Sequence, residues 1–159
     1  MTQERLEVMY RGIHAEAVTA AREIVARNDF SSYRSLADVG GGSGGLGLTV
    51  AAACPQLHAT VVDLPTVTPI TRRYIEAAGL TDRVHVMTAD VVNAPLIGTF
   101  DVAVLSRFIQ VLSADQARRA LRHVNQIIAP GGMIYIVGQV IDNSRLSPPE
   151  PPPTSARLR

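Results

Sequence analysis

The chain has 159 residues, 47% of them hydrophobic and 18% charged, with a formal net charge of +1. That size and composition suit one soluble α/β domain with a proper core. The near-neutral balance and the absence of a Lys/Arg run exclude a basic nucleic-acid stripe, and no apolar run reaches membrane-spanning length. The lone Cys54 cannot form an internal disulfide, and the N-terminus lacks a secretory pattern, so a cytoplasmic setting is expected, with Cys54 simply packed.

In chain order, Glu4 to Arg27 reads as helix, in two pieces broken near Gly12, with apolar residues at Leu6, Met9, Ile13, Ala17 and Ile24. Asn28 to Ser32 is a turn cluster. Strands and helices then alternate. Strand Ser35–Val39 leads to helix Gly44–Ala53, and strand Ala59–Val62 leads to helix Thr66–Ala78, stopped by Gly79. Strands Val84–Met87 and Phe100–Leu105 follow, then helix Ala114–Ala129 capped by Ser113, and strand Met133–Val140. This alternation implies a Rossmann-like parallel sheet of about five strands, with helices on both faces and right-handed crossovers. The tail from Ser147 to Pro153 is proline-rich and is not expected to join a sheet. The expected organisation is linker helices over 1–30, a cofactor-binding core over 31–142 and a disordered tail over 143–159.

The most informative stretch is the glycine-rich turn after the first strand, Asp38-Val39-Gly40-Gly41-Gly42-Ser43-Gly44-Gly45, with Asp63 closing the second strand. Glycines there bring main-chain N–H groups close to a ligand, and an acid about twenty residues on suits ribose hydroxyls. The pattern Gly40-x-Gly42-x-x-Gly45 formally satisfies the dinucleotide fingerprint, so a nicotinamide cofactor is one reading. Three features favour S-adenosylmethionine. Asp38 lies inside the strand, where an ammonium rather than a pyrophosphate would want it; Asp90 closes the third strand within reach of an adenine amine; and Ala129-Pro130-Gly131-Gly132 ends a helix and launches an apolar run.

These residues resemble the class I S-adenosylmethionine-dependent methyltransferases. Asp38-Val39-Gly40-Gly41-Gly42-Ser43-Gly44 and Val62-Asp63-Leu64-Pro65 resemble, more narrowly, the small-molecule O-methyltransferases of the plant caffeate and hydroxyindole type and their bacterial natural-product relatives. The resemblance runs from about Tyr10 to Pro148. It implies S-adenosylmethionine as cofactor, a small-molecule acceptor and no metal. In it, Gly40 and Gly42 approach the methionine portion and Asp38 holds its ammonium directly or through water. Asp63 takes the ribose, Leu64 packs on the adenine face, and Asp90 and Val91 fix the adenine's far edge. Ser106 stands where relatives often carry a lysine that touches the cofactor. Asp63 also has a local reading as a helix N-cap before Pro65, compatible with the ribose role.

The resemblance also implies a histidine base after the fourth strand, oriented by a glutamate at the end of the fifth. Alignment of Leu105 to Ser113 puts Gln110 at the histidine position, and Gly138 falls at the glutamate position. Neither can take a proton. Three readings stay open: an acceptor needing no strong base, with Gln110 positioning it; a base from elsewhere, His14 being the candidate; or cofactor binding without transfer. Of the other histidines, His58 and His85 read as exposed and His123 as part of a solvated face with Arg118, Arg119 and Arg122. Met9 and Tyr10 read as pocket lining or core, and Arg72-Arg73 as surface charge. The family's last two strands and an N-terminal dimerisation domain have no counterpart in these residues, so a truncated or frame-shifted piece of a longer enzyme is expected. Met133 to Val137 would then be an uncovered apolar sheet edge, favouring self-association.

Overall fold

The computed structural model describes residues 3–138 and 155–158. The expected parallel five-strand Rossmann-like sheet is present. In chain order its strands are β1 (Ser35–Val39), β2 (His58–Asp63), β3 (Val84–Thr88), β4 (Phe100–Ser106) and β5 (Ile128–Val137). A short sixth strand, β6 (Ser155–Leu158), completes the order β3-β2-β1-β4-β5-β6. β1 to β5 pair in parallel, and β6 pairs antiparallel with β5, Ile134 opposite Leu158 and Val137 opposite Ser155.

This last pairing corrects two expectations. The apolar edge of β5 is not uncovered, so that ground for self-association is gone, and part of the tail does join the sheet. Tail residues Ser147 to Pro153 lie outside the described residues, as does the end of the strand expected to reach Val140.

The helices are α1 (Gln3–Arg27), α2 (Gly45–Ala53), α3 (Thr68–Ala78) and α4 (Ala114–Gln126). α1 runs unbroken through Gly12, contrary to expectation. A mid-helix glycine costs about 1 kcal/mol relative to alanine, and here burial of Ala21 and Ile24 in the core, where α1 packs on α2, outweighs it. α4 begins with a reciprocal cap, Ser113 Oγ accepting from Gln116 N (3.2 Å) and Gln116 Oε1 accepting from Ser113 N (2.9 Å). It stops at Gln126, three residues short of the expected end, because residues 128–132 already belong to β5. Between the pairs Phe100–Ile128 and Val102–Met133 the β5 side carries extra residues, a local irregularity that absorbs Pro130 and Gly131.

Strand alternation splits the core into two layers. Leu36, Val61, Val104 and Tyr135 pack under α1, α2 and α3, while Val39, Val62, Leu105 and Ile134 pack with Ala120 and Val124 of α4 on the other face. The sheet order reverses between β1 and β4. In such sheets ligands bind outside the carboxyl ends of the strands at this point.

Candidate cofactor site

The β1–α2 turn is shaped by contacts that only glycine permits at two places. Gly40 has φ +67°, and a Cβ there would lie 2.3 Å from the Phe108 ring; Gly42 has φ +57°, with Tyr10 Cε1 3.2 Å from an added Cβ. The turn is then pinned from several sides. Gly40 N donates to Val62 O (2.8 Å), Gly42 N donates to Asp63 Oδ2 (2.8 Å), and the fully buried Thr71 donates from Oγ1 to Gly42 O (2.5 Å). On the far side His14 Nδ1 lies 2.8 Å from Ser43 Oγ, and its ring stacks on Tyr74 at 4.3 Å. Burial pushes the His14 imidazole below its ordinary value. His14, offered by the sequence as a spare base, lies against the turn through Ser43.

Three acids stand on consecutive elements around this turn. Asp38 is fully buried; Oδ2 accepts from Gly47 N (3.0 Å) and Oδ1 has no partner. Burial, with the nearby Asp63 charge adding to it against the Gly47 hydrogen bond, raises its carboxyl to about 7. Asp63, half-buried at the end of β2, accepts from Gly42 N on Oδ2 and from Leu64 N on Oδ1 (2.7 Å). Burial raises its carboxyl, and the two N–H groups counter this. The same burial, together with Asp63, raises the Tyr10 hydroxyl above its ordinary range. Asp63 does not cap the following helix, which starts at Thr68 behind Val67.

Asp90 follows β3. Oδ1 accepts from Val92 N (3.1 Å) and Asn93 N (3.2 Å), and Oδ2 accepts from Asn93 Nδ2 (2.8 Å). The Asn93 side-chain bond leads the causes that hold this carboxyl below its usual range. Beside it Val91 is buried, whereas Leu64 next to Asp63 keeps 42% of its surface exposed.

The structure thus brings Gly40, Gly42, Asp63, Leu64, Asp90 and Val91 to one rim. Asp38 lies beneath that rim, closed off from solvent. Ser106 ends β4 and lines a different space, a cavity of about 420 Å³ shared with Glu16, Thr19, Glu23, Arg107 and Gly138. Arg107, at φ +55°, forms an ion pair with Glu16 of α1 across this cavity. Gln110 sits on an exposed 3-10 turn (Ile109–Val111), and a Cβ on Gly138 would lie 2.8 Å from its Oε1. The two positions that the sequence aligns with a base and its orienting acid are therefore side by side.

Several residues of the rim were missed by sequence reading. Thr71, Phe108 and Asn93 carried no signal of their own, although Asp90-x-x-Asn93 fits a local Asx turn. His123 was expected on a solvated face. It is half-buried instead, and Nδ1 donates to Val91 O at 2.7 Å, because α4 packs against the loop after β3. His58 and His85 are exposed as expected, and Cys54 is buried. No helix among the described residues is long and apolar enough to cross a membrane.

Comparison with known proteins agrees with this geometry. The profile of a family described as an O-methyltransferase domain matches residues 2–152. A 3-hydroxy-5-methyl-1-naphthoate 3-O-methyltransferase from Streptomyces sahachiroi is 31% identical over 144 residues, covering 91% of this chain and 42% of the relative. Aclacinomycin 10-hydroxylase RdmB from Streptomyces purpurascens is 37% identical over 109 residues, covering 69% of this chain and 29% of the relative. Among solved structures, the S-adenosylmethionine-dependent methyltransferase SibL superposes with a TM-score of 0.78 at 30% identity, covering 89% of this chain and 42% of that one. The chain spans well under half the length of each of these proteins.

Proposed function

The chain belongs to the O-methyltransferase domain family, and on that footing we propose that it forms the cofactor-binding core of an S-adenosylmethionine-dependent methyltransferase acting on a small molecule. The observation that carries this reading is the lone-pair inventory of the rim. Each oxygen of Asp63 accepts one backbone N–H and keeps one acceptor position, which matches the two hydroxyls of a ribose. Oδ2 of Asp90 keeps one position for an adenine amine. The exposed Leu64 offers an apolar face to a flat ring, and Val91 closes the far edge. Gly40 and Gly42 carry no side chain on the turn that the methionine portion would pass, and Phe108 and Tyr10 stand against them. Asp38 has no exposed surface and a carboxyl raised to about 7, so it would hold the start of α2 through Gly47 N and would not contact the methionine ammonium directly.

When bound, S-adenosylmethionine supplies an electrophilic methyl on a sulfonium. The residues present would bind it, hold it still and align an acceptor, which alone can contribute roughly 7–11 kcal/mol. The cavity between α1 and the ends of β4 and β5 is the space for that acceptor, lined by Ser106 and by Gly138, beside which Gln110 stands. A side-chain amide accepts no proton at this pH, so the acceptor suited to this edge is one that needs no strong base, such as an amine or an acidic phenol. The general base forgone is worth about 10²–10⁴-fold.

The chain's relatives are not all named for methyl transfer, one being named a 10-hydroxylase, so binding and transfer are read separately. Calorimetric titration with S-adenosylhomocysteine should give binding that Asp63→Ala abolishes, with no heat from NAD. Binding of NAD alone would overturn the cofactor assignment. Incubation with methyl-labelled S-adenosylmethionine and a panel of phenols and amines then reads transfer; binding without any labelled product would leave a cofactor-holding domain instead of an enzyme core.

A further inference from the structure

We propose that Arg119 and His123, on α4, are positioning residues for the adenine rim of the cofactor site, Arg119 setting its adenine selectivity and His123 the placement of its loop. This rests on the reading of Asp90 and Val91 as the adenine rim. The loop carrying both residues is exposed on one side, and α4 grips it from the other through two separate contacts. Arg119 Nη1 donates to Asn93 Oδ1 at 2.9 Å, which orients the Asn93 amide so that Nδ2 donates to Asp90 Oδ2 at 2.8 Å. The guanidinium is itself held by Asp115, whose Oδ2 accepts from Arg119 Nε at 3.1 Å. One helical turn on, His123 Nδ1 donates to Val91 O at 2.7 Å, fixing the peptide that follows the second rim residue.

The consequence is a carboxylate fixed from three sides. Asp90 Oδ1 is committed to the N–H groups of Val92 and Asn93, one lone pair of Oδ2 is committed to Asn93, and a single acceptor position remains. The hydrogen bonds from Asn93 also keep Asp90 ionised, so that position can only accept. A fixed acceptor takes a 6-amino purine and opposes a 6-oxo purine, because the oxo group has no proton to donate and sets a lone pair against a lone pair. A free Asp90 side chain could turn away from the mismatch, and the discrimination would fall. Arg119 therefore acts on selectivity through Asn93, whereas His123 acts on the placement of the whole loop.

The test is calorimetric titration of the full chain and its variants with S-adenosylhomocysteine and S-inosylhomocysteine, with melting temperatures recorded alongside. A hydrogen-bonding site of this kind should give the wild type at least a tenfold preference for the adenosyl compound. Arg119→Ala should reduce that preference to about threefold or less, chiefly by weakening the adenosyl compound, with the fold intact. His123→Ala should weaken both ligands by a similar factor, and His123→Gln, which keeps a donor, should restore them. A purely structural role for Arg119 would lower the melting temperature and leave the preference ratio alone, and one for His123 would lower the melting temperature without weakening either ligand below it. A discriminating wild type whose ratio is unchanged in Arg119→Ala overturns the relay alone. A wild type that takes up neither ligand overturns the cofactor reading beneath it.

Discussion

Replacing Asp38 with asparagine should flatten the dependence of stability on pH. The carboxyl is fully buried, has one hydrogen bond from Gly47 N and carries an unpartnered oxygen near the Asp63 charge. Raised from 3.8 to about 7, it is a group whose neutral form the fold prefers. Between these values the native protein holds a proton that the unfolded chain has released, so stability is lost as pH rises through the window and levels off above about 7. The full shift corresponds to about 4 kcal/mol, and the part lying above pH 5 to about 3 kcal/mol. For a chain of this length that is about 6–12 °C in melting temperature. The asparagine amide adds a fixed cost of about 1–3 kcal/mol, since one of its atoms sits where no partner waits, but this does not vary with pH. The assay is thermal unfolding of wild type and Asp38→Asn, without ligand, at pH 5, 6, 7 and 8. The difference, variant minus wild type, should grow with pH by the amount above. A difference that stays constant from pH 5 to 8 would refute the argument that burial keeps this carboxyl neutral.

Thr71→Val removes the hydroxyl that donates to Gly42 O while keeping the side chain's shape. It should cost about 1–3 kcal/mol in chemical denaturation, because the carbonyl is left without that donor, and should weaken S-adenosylhomocysteine in calorimetry. Gly40→Ala meets both a left-handed backbone and the Phe108 ring, so it should cost about 1–3 kcal/mol; Phe108→Ala in the same chain should recover the steric part, and a double-mutant cycle showing no coupling would contradict the contact. His14 titrates with the opposite sign to Asp38. Its imidazole is pulled below 6.5 by burial, so its contribution is present above that value and lost as pH falls below it. His14→Gln should accordingly reduce the acid-side loss of stability, read from melting curves between pH 5 and 7.

The glycine-rich turn, Asp63 and Asp90 were legible in the sequence because each is a local event. A left-handed turn needs glycine, and the acids follow strand ends at fixed distances from it. His123 was not legible. Its neighbours Arg118, Arg119 and Arg122 write a solvated stripe, and only the packing of α4 against a loop some thirty residues away turns one edge of that stripe inward. Thr71 failed for the same reason, since its acceptor lies 29 residues back. Gly12 was overweighted as a breaker, because propensity is a small term once a long helix has a neighbouring helix to pack on. The pairing of Ser155–Leu158 with β5 has no pattern signal at all, being four residues beyond a proline run.

The adjacency of Gln110 and Gly138 places a constraint on how this site can change by single substitutions. An added Cβ at Gly138 would meet the Gln110 amide oxygen at 2.8 Å, so Gly138→Glu must displace that amide before its carboxylate can serve anything. Gln110→His alone creates an imidazole whose neighbour has no acid to orient it. Each step taken singly gives a proton acceptor without its partner, and only the pair restores an oriented base. A mutational path back to base catalysis therefore crosses a valley, and a library that varies both positions together will find what two successive single-site screens discard.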